Sequence, residues 1–516
     1  MKIASASWMI LLSLILLALP AAVAGKSCES LTALTLPHTT ITLAEPVAAG
    51  ALTLPGVPGP NPPAAITEME LKDLPAFCRV AITMKPSADS DIKAEVWMPT
   101  SGWNGKFMAV GNGGWAGTIS YEAMTAPLVR GYATASTDTG HKGTALEGSF
   151  ALGHPEKLID FGYRAVHEMT VLAKDIIATY YENRPKLSYW NGCSTGGKQG
   201  LKEAQKFPGD YDGIVAGAPA NFWTHLNAQY MWVAQAVNKS EASRIPPSKF
   251  PLIHDAVLRA CDARDGVKDE VLENPARCKF DPKVLECKGA DMPSCLTAAQ
   301  VESARAIYSA SMNPRTKQQI FPGLAPGSEL GWAIQTSSQP FSIPTDYYKY
   351  VVYKDPNWDY KTFNFDSDIA LADKIDNGLI TATDPHLKEF FAHGGKLLQY
   401  HGWSDNIISP QNSINYYESV IETLGGADRV QDSYRLFMVP GMSHCRDGEG
   451  VTSFDSISVI EQWVEKGKAP GRIMASRIQD GKTQRTRPLC PYPQVAKYMG
   501  TGSSDDAANF VCASEK

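Results

Sequence analysis

The stretch Leu187-Ser188-Tyr189-Trp190-Asn191-Gly192-Cys193-Ser194-Thr195-Gly196-Gly197 constrains the fold more than any other part of the chain. LSYWNG reads as a strand, Gly192-x-Ser194-x-Gly196 as a tight turn, and GKQGLKEAQKFP as the helix that follows. A serine placed between strand and helix sits in a strained turn that larger neighbours would crowd, which is why glycines flank it. Three fixed positions are a weak pattern by themselves. The predicted strand before and helix after are what make Ser194 a candidate nucleophile.

The segments around this turn keep the same rhythm. AEVWMP and KFMAVG read as strands, the second running into the loop Gly111-Asn112-Gly113-Gly114-Trp115, and YATASTD is a third. DFGYRAVHEMTVLAKDIIATYY has the three-to-four apolar spacing of a helix, and YDGIVAGAPA is again a strand. Strands alternating with helices predict an α/β fold with a mainly parallel sheet. The alternation stops over residues 223–385, which are rich in aromatics and loops, and resumes with GGKLLQYHGWSDN, QNSINYYESVIETLG, SYRLFMVPGMSHC and SFDSISVIEQWVEKG. The expected organisation is one α/β domain, residues 25–222 and 386–516, interrupted by an insertion over residues 223–385. Residues 25–95, including the Pro/Gly-rich LPGVPGPNPPAA, read as an irregular wrap with a few edge strands.

Lys2, an apolar run from Trp8 to Leu19, Pro20 and the small residues Ala22-Val23-Ala24 read as a signal peptide over residues 1–24. The run is shorter than a bilayer span needs, and no later stretch supplies one. The mature chain is therefore expected to be soluble and exported, secreted or periplasmic. A formal net charge of −6 without a long basic run points to no nucleic-acid partner, and no membrane partner or organic cofactor is expected. Oligomeric state is not legible. In an oxidising compartment the ten cysteines, Cys28, Cys78, Cys193, Cys261, Cys278, Cys287, Cys295, Cys445, Cys490 and Cys512, favour five disulfides. Cys261/Cys278, Cys287/Cys295 and Cys490/Cys512 are the simplest pairs, but spacing does not fix the pairing of all ten. No C-x-x-C occurs, which argues against zinc at the cysteines.

A serine nucleophile needs a base and an orienting acid, which in this strand–turn–helix context follow in the order Ser, Asp, His. Asp405 lies in YHGWSDNII after the strand KLLQY, and His444 lies in VPGMSHCRD after the strand YRLFMV. His401 is the rival base, and Asp447 and Asp138 are less well placed rival acids. Cys193 precedes Ser194 and Cys445 follows His444. A nucleophile–base hydrogen bond of about 2.6–3.2 Å draws these neighbours toward the roughly 7 Å Cα separation that a disulfide requires. A Cys193–Cys445 bond tying the two loops together is the expectation.

With these residues in view, the chain resembles the tannase and feruloyl esterase family, which also includes the enzyme hydrolysing mono(2-hydroxyethyl) terephthalate. The likeness rests on Cys193-Ser194, Asp405 and His444-Cys445, and on WNGKFMAVGNGGWAG, YWNGCSTGGKQGL, DPNWDYKTFNFDSD and MSHC, spread over most of the mature chain. It implies an α/β-hydrolase fold whose insertion is a large lid between nucleophile and acid. It also implies a serine esterase acting on aromatic acid esters through an acyl-enzyme. Oxyanion-hole amides are expected from Thr195 and from Gly113 or Gly114. The acidic turn from Cys261 to Val271 is, as bare sequence, either a solvated turn or a cation loop. The resemblance implies a structural calcium ion held by Asp262, Asp265, Asp269 and the carbonyls of Val267 and Val271. Hydroxycinnamoyl esters are the first expectation for substrate, galloyl esters the second and the terephthalate half-ester the third. Thr195 stands where the terephthalate enzyme has glutamate, and no arginine of the insertion matches its carboxylate-binding one. A peptidase or lipase, and a non-catalytic binding protein on the same scaffold, are the competing classes.

Overall fold

A computed structural model describes residues 26–54 and 71–514. The signal-peptide reading over 1–24, and most of LPGVPGPNPPAA, lie outside the described residues.

The main sheet contains nine strands: β1 (Thr39–Val47), β2 (Phe77–Met84), β3 (Ile92–Pro99), β4 (Lys106–Val110), β5 (Ala133–Thr137), β6 (Leu187–Cys193), β7 (Gly213–Gly217), β8 (Lys396–Gly402) and β9 (Tyr434–Val439). Their spatial order is β1-β2-β3-β5-β4-β6-β7-β8-β9. From β5 through β4, β6, β7 and β8 to β9 every neighbour is parallel, whereas β1, β2, β3 and β5 pair antiparallel. The parallel strands need a helical crossover at each step and so are covered on both faces. Gly213–Gly217 and Ala133–Thr137 are accordingly buried throughout rather than alternately.

Successive residues point to opposite sides of the sheet. Phe107, Trp190, Ile214, Leu397 and Leu436 join one apolar cluster with helices α1 (Ala165–Tyr181), α2 (Thr195–Lys206) and α6 (Pro410–Leu424). Met108, Tyr189, Val215, Leu398 and Phe437 face the other way, against Ile457, Ile460 and Trp463 of α7 (Ser456–Lys466). A slip of one residue in any of these strands would exchange the two layers, so the register is strongly specified.

Between β7 and β8 the chain adds no strand to this sheet. It forms helices including α3 (Trp223–Val237), α4 (Phe250–Cys261) and α5 (Ala298–Tyr308). The last two share a core of Phe250, Ile253, Leu296, Val301, Ala304, Ile307 and Trp332. Among the described residues, no helix is long and apolar enough to cross a membrane. After α7 come two antiparallel hairpins, Ile473–Gln479 with Lys482–Leu489 and Gln494–Tyr498 with Phe510–Ser514, which the periodicity did not single out.

The ten cysteines form five disulfides: Cys28–Cys78, Cys193–Cys445, Cys261–Cys278, Cys287–Cys295 and Cys490–Cys512. The first fastens the N-terminal segment to β2, and the last ties the end of the first hairpin to the final strand of the second.

Candidate active site

Ser194 stands between β6 and α2 with φ 62° and ψ −122°, a left-handed conformation that costs a non-glycine residue of order 1–3 kcal/mol. Backbone bonds on both sides hold it there: Ser194 N–H donates to Gly217 (3.0 Å), and its carbonyl accepts from Lys198 (3.0 Å) and Ala220 (3.1 Å). The glycines are required by close approach. A Cβ on Gly192 would lie 2.6 Å from the Gly196 carbonyl group, and one on Gly111 would lie 2.4 Å from Gly196 Cα. The turn and the Gly111–Trp115 loop are thus fitted backbone to backbone.

Asp405 follows β8 and is fully buried. Its Oδ1 accepts from the backbone amides of Ile407 and Ile408, each at 2.8 Å. Its Oδ2 meets two imidazoles, His444 Nδ1 at 2.8 Å and His401 Nε2 at 3.1 Å. Burial alone would raise the carboxyl, but the charge of His444 and the hydrogen bonds from His401 and His444 outweigh it and hold Asp405 well below the usual carboxylate range. His401 Nε2 also lies 3.1 Å from the Ile408 carbonyl, so that nitrogen carries a proton, while Nδ1 faces Ser413 Oγ at 2.7 Å. His401, weighed from sequence as a rival base, is fully buried on the far side of the acid. His444 engages Asp405 through Nδ1, leaving Nε2 for a proton transfer.

Cys193 and Cys445 are bonded, with Cα atoms 5.9 Å apart, so the loops of Ser194 and His444 are joined covalently. Among the described residues no hydrogen bond links Ser194 Oγ to His444. Such bonds commonly tighten only when substrate is bound. Of the rival acids, Asp138 is buried after β5, where it accepts from the amides of Lys93 (2.9 Å) and Gly140 (2.8 Å). Asp447 is exposed beyond Cys445.

Thr195 Oγ1 donates to the Gly114 carbonyl at 2.7 Å, fastening the residue after Ser194 to the Gly113-Gly114 loop. Trp115 is fully buried against Phe161, Trp223 and Tyr347, and its Nε1 donates to the Ile343 carbonyl at 3.2 Å. The insertion therefore covers this loop. It also grips the acid loop: Tyr230 OH donates to the Ile407 carbonyl at 2.8 Å, and Gln335 Nε2 to that of Asn406 at 3.0 Å. Neither Tyr230 nor Gln335 carries a local sequence signal, because only the folded insertion brings them to Asp405. Trp223, Trp332, Tyr347, Tyr348 and Phe363 are all buried within apolar clusters of the insertion.

The acidic turn lies apart, stapled by Cys261–Cys278. Asp262 accepts from the amides of Asp269 (3.2 Å) and Glu270 (3.1 Å), and Asp265 from those of Val267 and Glu273 (both 3.1 Å). Asp269 Oδ2 is 2.5 Å from Arg487, while its buried Oδ1 has no hydrogen-bond partner. Burial pushes Asp265 up to about 6, against those amides and with the charges of Asp269 and Asp262 adding to the rise. Oxygen-only donors, an orphaned buried carboxylate oxygen and mutually opposed negative charges suit a hard cation, but the Asp262, Asp265 and Asp269 carboxylates do not converge within 4.8 Å of one another.

The family model described as tannase and feruloyl esterase matches residues 78–513. An uncharacterised esterase of Xanthomonas campestris pv. campestris is 38% identical, over 96% of this chain and 92% of its own. A probable feruloyl esterase B-2 of Aspergillus terreus is 36% identical, over 84% and 86%. Among solved structures, feruloyl esterase B from Aspergillus oryzae superposes with a TM-score of 0.87 at 32% identity, covering 94% of this chain and 99% of that one. The chain belongs to the tannase and feruloyl esterase family.

Proposed function

We propose that the protein is an exported serine esterase hydrolysing carboxylic esters of aromatic acids, with hydroxycinnamoyl esters such as feruloyl esters preferred. The observation that carries this reading is the Cys193–Cys445 bridge, which joins the loop of a strained serine to that of a histidine whose Nδ1 lies 2.8 Å from a buried aspartate. The hydroxycinnamoyl preference draws on the names of the relatives. Export draws on the N-terminal pattern and on the disulfides, which persist in oxidising compartments.

In this mechanism His444 Nε2 takes the Ser194 proton as Oγ attacks the ester carbonyl. Asp405 fixes the His444 tautomer through Nδ1 and stabilises the imidazolium. The backbone amides of Thr195 and of Gly113 or Gly114 stabilise the developing oxyanion, aligned to each other by the Thr195–Gly114 hydrogen bond. His444 then protonates the leaving alcohol, and water repeats the sequence on the acyl-enzyme. The insertion acts as a lid over the serine and the oxyanion loop. Asp262, Asp265, Asp269 and the carbonyls of Val267 and Val271 would hold a calcium ion whose contribution is structural.

The test is kcat/KM for the purified mature protein on methyl ferulate, methyl gallate and mono(2-hydroxyethyl) terephthalate, with a fluorophosphonate label reporting Ser194. Preference for ferulate is expected. Preference for either other ester overturns the acyl assignment, and no labelling at Ser194 overturns the catalytic reading.

A further inference from the structure

Far from Ser194, three side chains with metal-ligand chemistry converge. His167 lies in α1, Glu203 in the last turn of α2 and Asp210 in the turn leading to β7. One ligand atom from each lies within 4.8 Å of the others, and no other such trio occurs among the described residues. His167 Nδ1 is 2.7 Å from Asp210 Oδ2. The imidazole is stacked on Phe207 at 3.7 Å between ring centroids and 9° between planes, which fixes its orientation.

Glu203 is the anomaly. The residue is 1% exposed, and neither oxygen of its carboxylate accepts a hydrogen bond; its near polar neighbour is the Asp210 carboxyl. A buried carboxyl without partners costs several kcal/mol unless something neutralises it. No arginine pairs with it. The nearby Lys174 donates instead to the Asp210 backbone carbonyl.

We infer that His167, Glu203 and Asp210 form a binding site for a divalent transition-metal ion such as zinc, distinct from the acidic turn and from the ester-cleaving residues. One imidazole nitrogen with two carboxylates suits zinc and its neighbours better than calcium, which takes oxygen donors. Ligands on one zinc ion lie about 2.0–2.2 Å from it and so within about 4.2 Å of each other. The three ligand atoms, all within 4.8 Å of one another, lie close to that span. The His167 and Asp210 side chains are 29% and 15% exposed, which opens the site to solvent. Three protein ligands leave a position for water. The ion would join α1 to the C-terminal end of the helix that begins beside Ser194. Glu203 lies nine residues beyond Ser194, about 13 Å along the helix axis, so the ion takes no part in ester cleavage.

The test uses untagged full-length protein stripped of metal, resupplied with excess calcium, incubated with one equivalent of zinc, desalted and assayed for bound zinc. Wild type is expected to retain about one zinc per chain and to gain Tm with zinc. Glu203→Gln and His167→Gln should lose both effects while keeping fluorophosphonate labelling at Ser194 as the check on folding. No zinc retained by wild type overturns the inference, and so does equal retention by both variants. If neither variant folds, cobalt(II) added to wild type decides the matter. The visible bands of a nitrogen- and oxygen-ligated ion support the site, and their absence rejects it.

Discussion

Cys193 and Cys445 are disulfide-bonded across 252 residues of chain, so the neighbours of Ser194 and His444 form one covalent unit. The bond is the shortest path between two loops otherwise connected only through the whole insertion.

Removing it by the paired change Cys193→Ser and Cys445→Ser should lower stability by about 2–4 kcal/mol. It should also reduce kcat roughly 100-fold, because a displacement of about 1 Å between serine and imidazole is costly. Ser194→Ala, in contrast, should abolish turnover and leave Tm near wild type. Thermal unfolding and steady-state kinetics on the same preparations separate the two effects. An unchanged kcat in the paired variant would show that the bridge does not position the loops.

Asp405 is held by four donors, two backbone amides and two imidazoles, and His401 is the imidazole with no part in proton transfer. Asp405→Asn should reduce kcat by about 10⁴-fold through the wrong His444 tautomer. His401→Gln removes one charge-assisted hydrogen bond of about 1.5–3 kcal/mol and should lower kcat by roughly 10- to 100-fold with KM little changed. A rise in KM at constant kcat would place His401 in substrate binding instead.

His254 of the insertion bridges two acids, with Nδ1 2.8 Å from buried Glu329 and Nε2 2.8 Å from Glu449, which lies in the loop after His444. Burial lowers its pKa, but the hydrogen bonds with both glutamates and their charges overcome this and raise it to about 10. The folded value lies above the unfolded one of about 6.5. The stabilisation is therefore complete below about pH 6.5 and is lost as pH rises through about 10. Tm of wild type should fall more steeply between pH 7 and pH 10 than Tm of His254→Gln, measured by scanning fluorimetry. Parallel curves would remove this clamp from the account.

Calcium removal should lower Tm without disarming the serine. Calcium at about 100 times its Kd contributes about 2.7 kcal/mol, or roughly 2–3 °C for a chain of this size. Chelated protein should regain that amount on calcium addition, and Asp265→Asn should not respond. Ser194 should label in all these states, because the acidic turn belongs to the insertion and not to the loops of Ser194 and His444. A calcium-insensitive Tm would leave the Asp269 carboxylate to Arg485 and Arg487, through Oδ2, alone.

The parallel core was legible because its signals are local. A strand, Gly192-Cys193-Ser194-Thr195-Gly196 and a helix follow one another within about twenty residues, and each is set by its own periodicity and turn chemistry. The Asp405 and His444 loops could be found because each follows an apolar strand that needs covering on both faces. The C-terminal hairpins were not found. Lys482–Leu489 begins with exposed polar residues, and its pairing with Ile473–Gln479 offers no apolar alternation to read.

The sequence by itself determined the α/β rhythm, the interruption over the insertion and the residue types able to attack, accept and orient, because periodicity and turn chemistry act over short stretches of chain. Only the tertiary structure decided the sheet order, the contacts of Tyr230 and Gln335 with the acid loop, the second imidazole on Asp405, and the meeting of His167, Glu203 and Asp210. Each of these joins residues far apart in the chain, and their proximity depends on how helices and strands bury their apolar faces together, which no local window records.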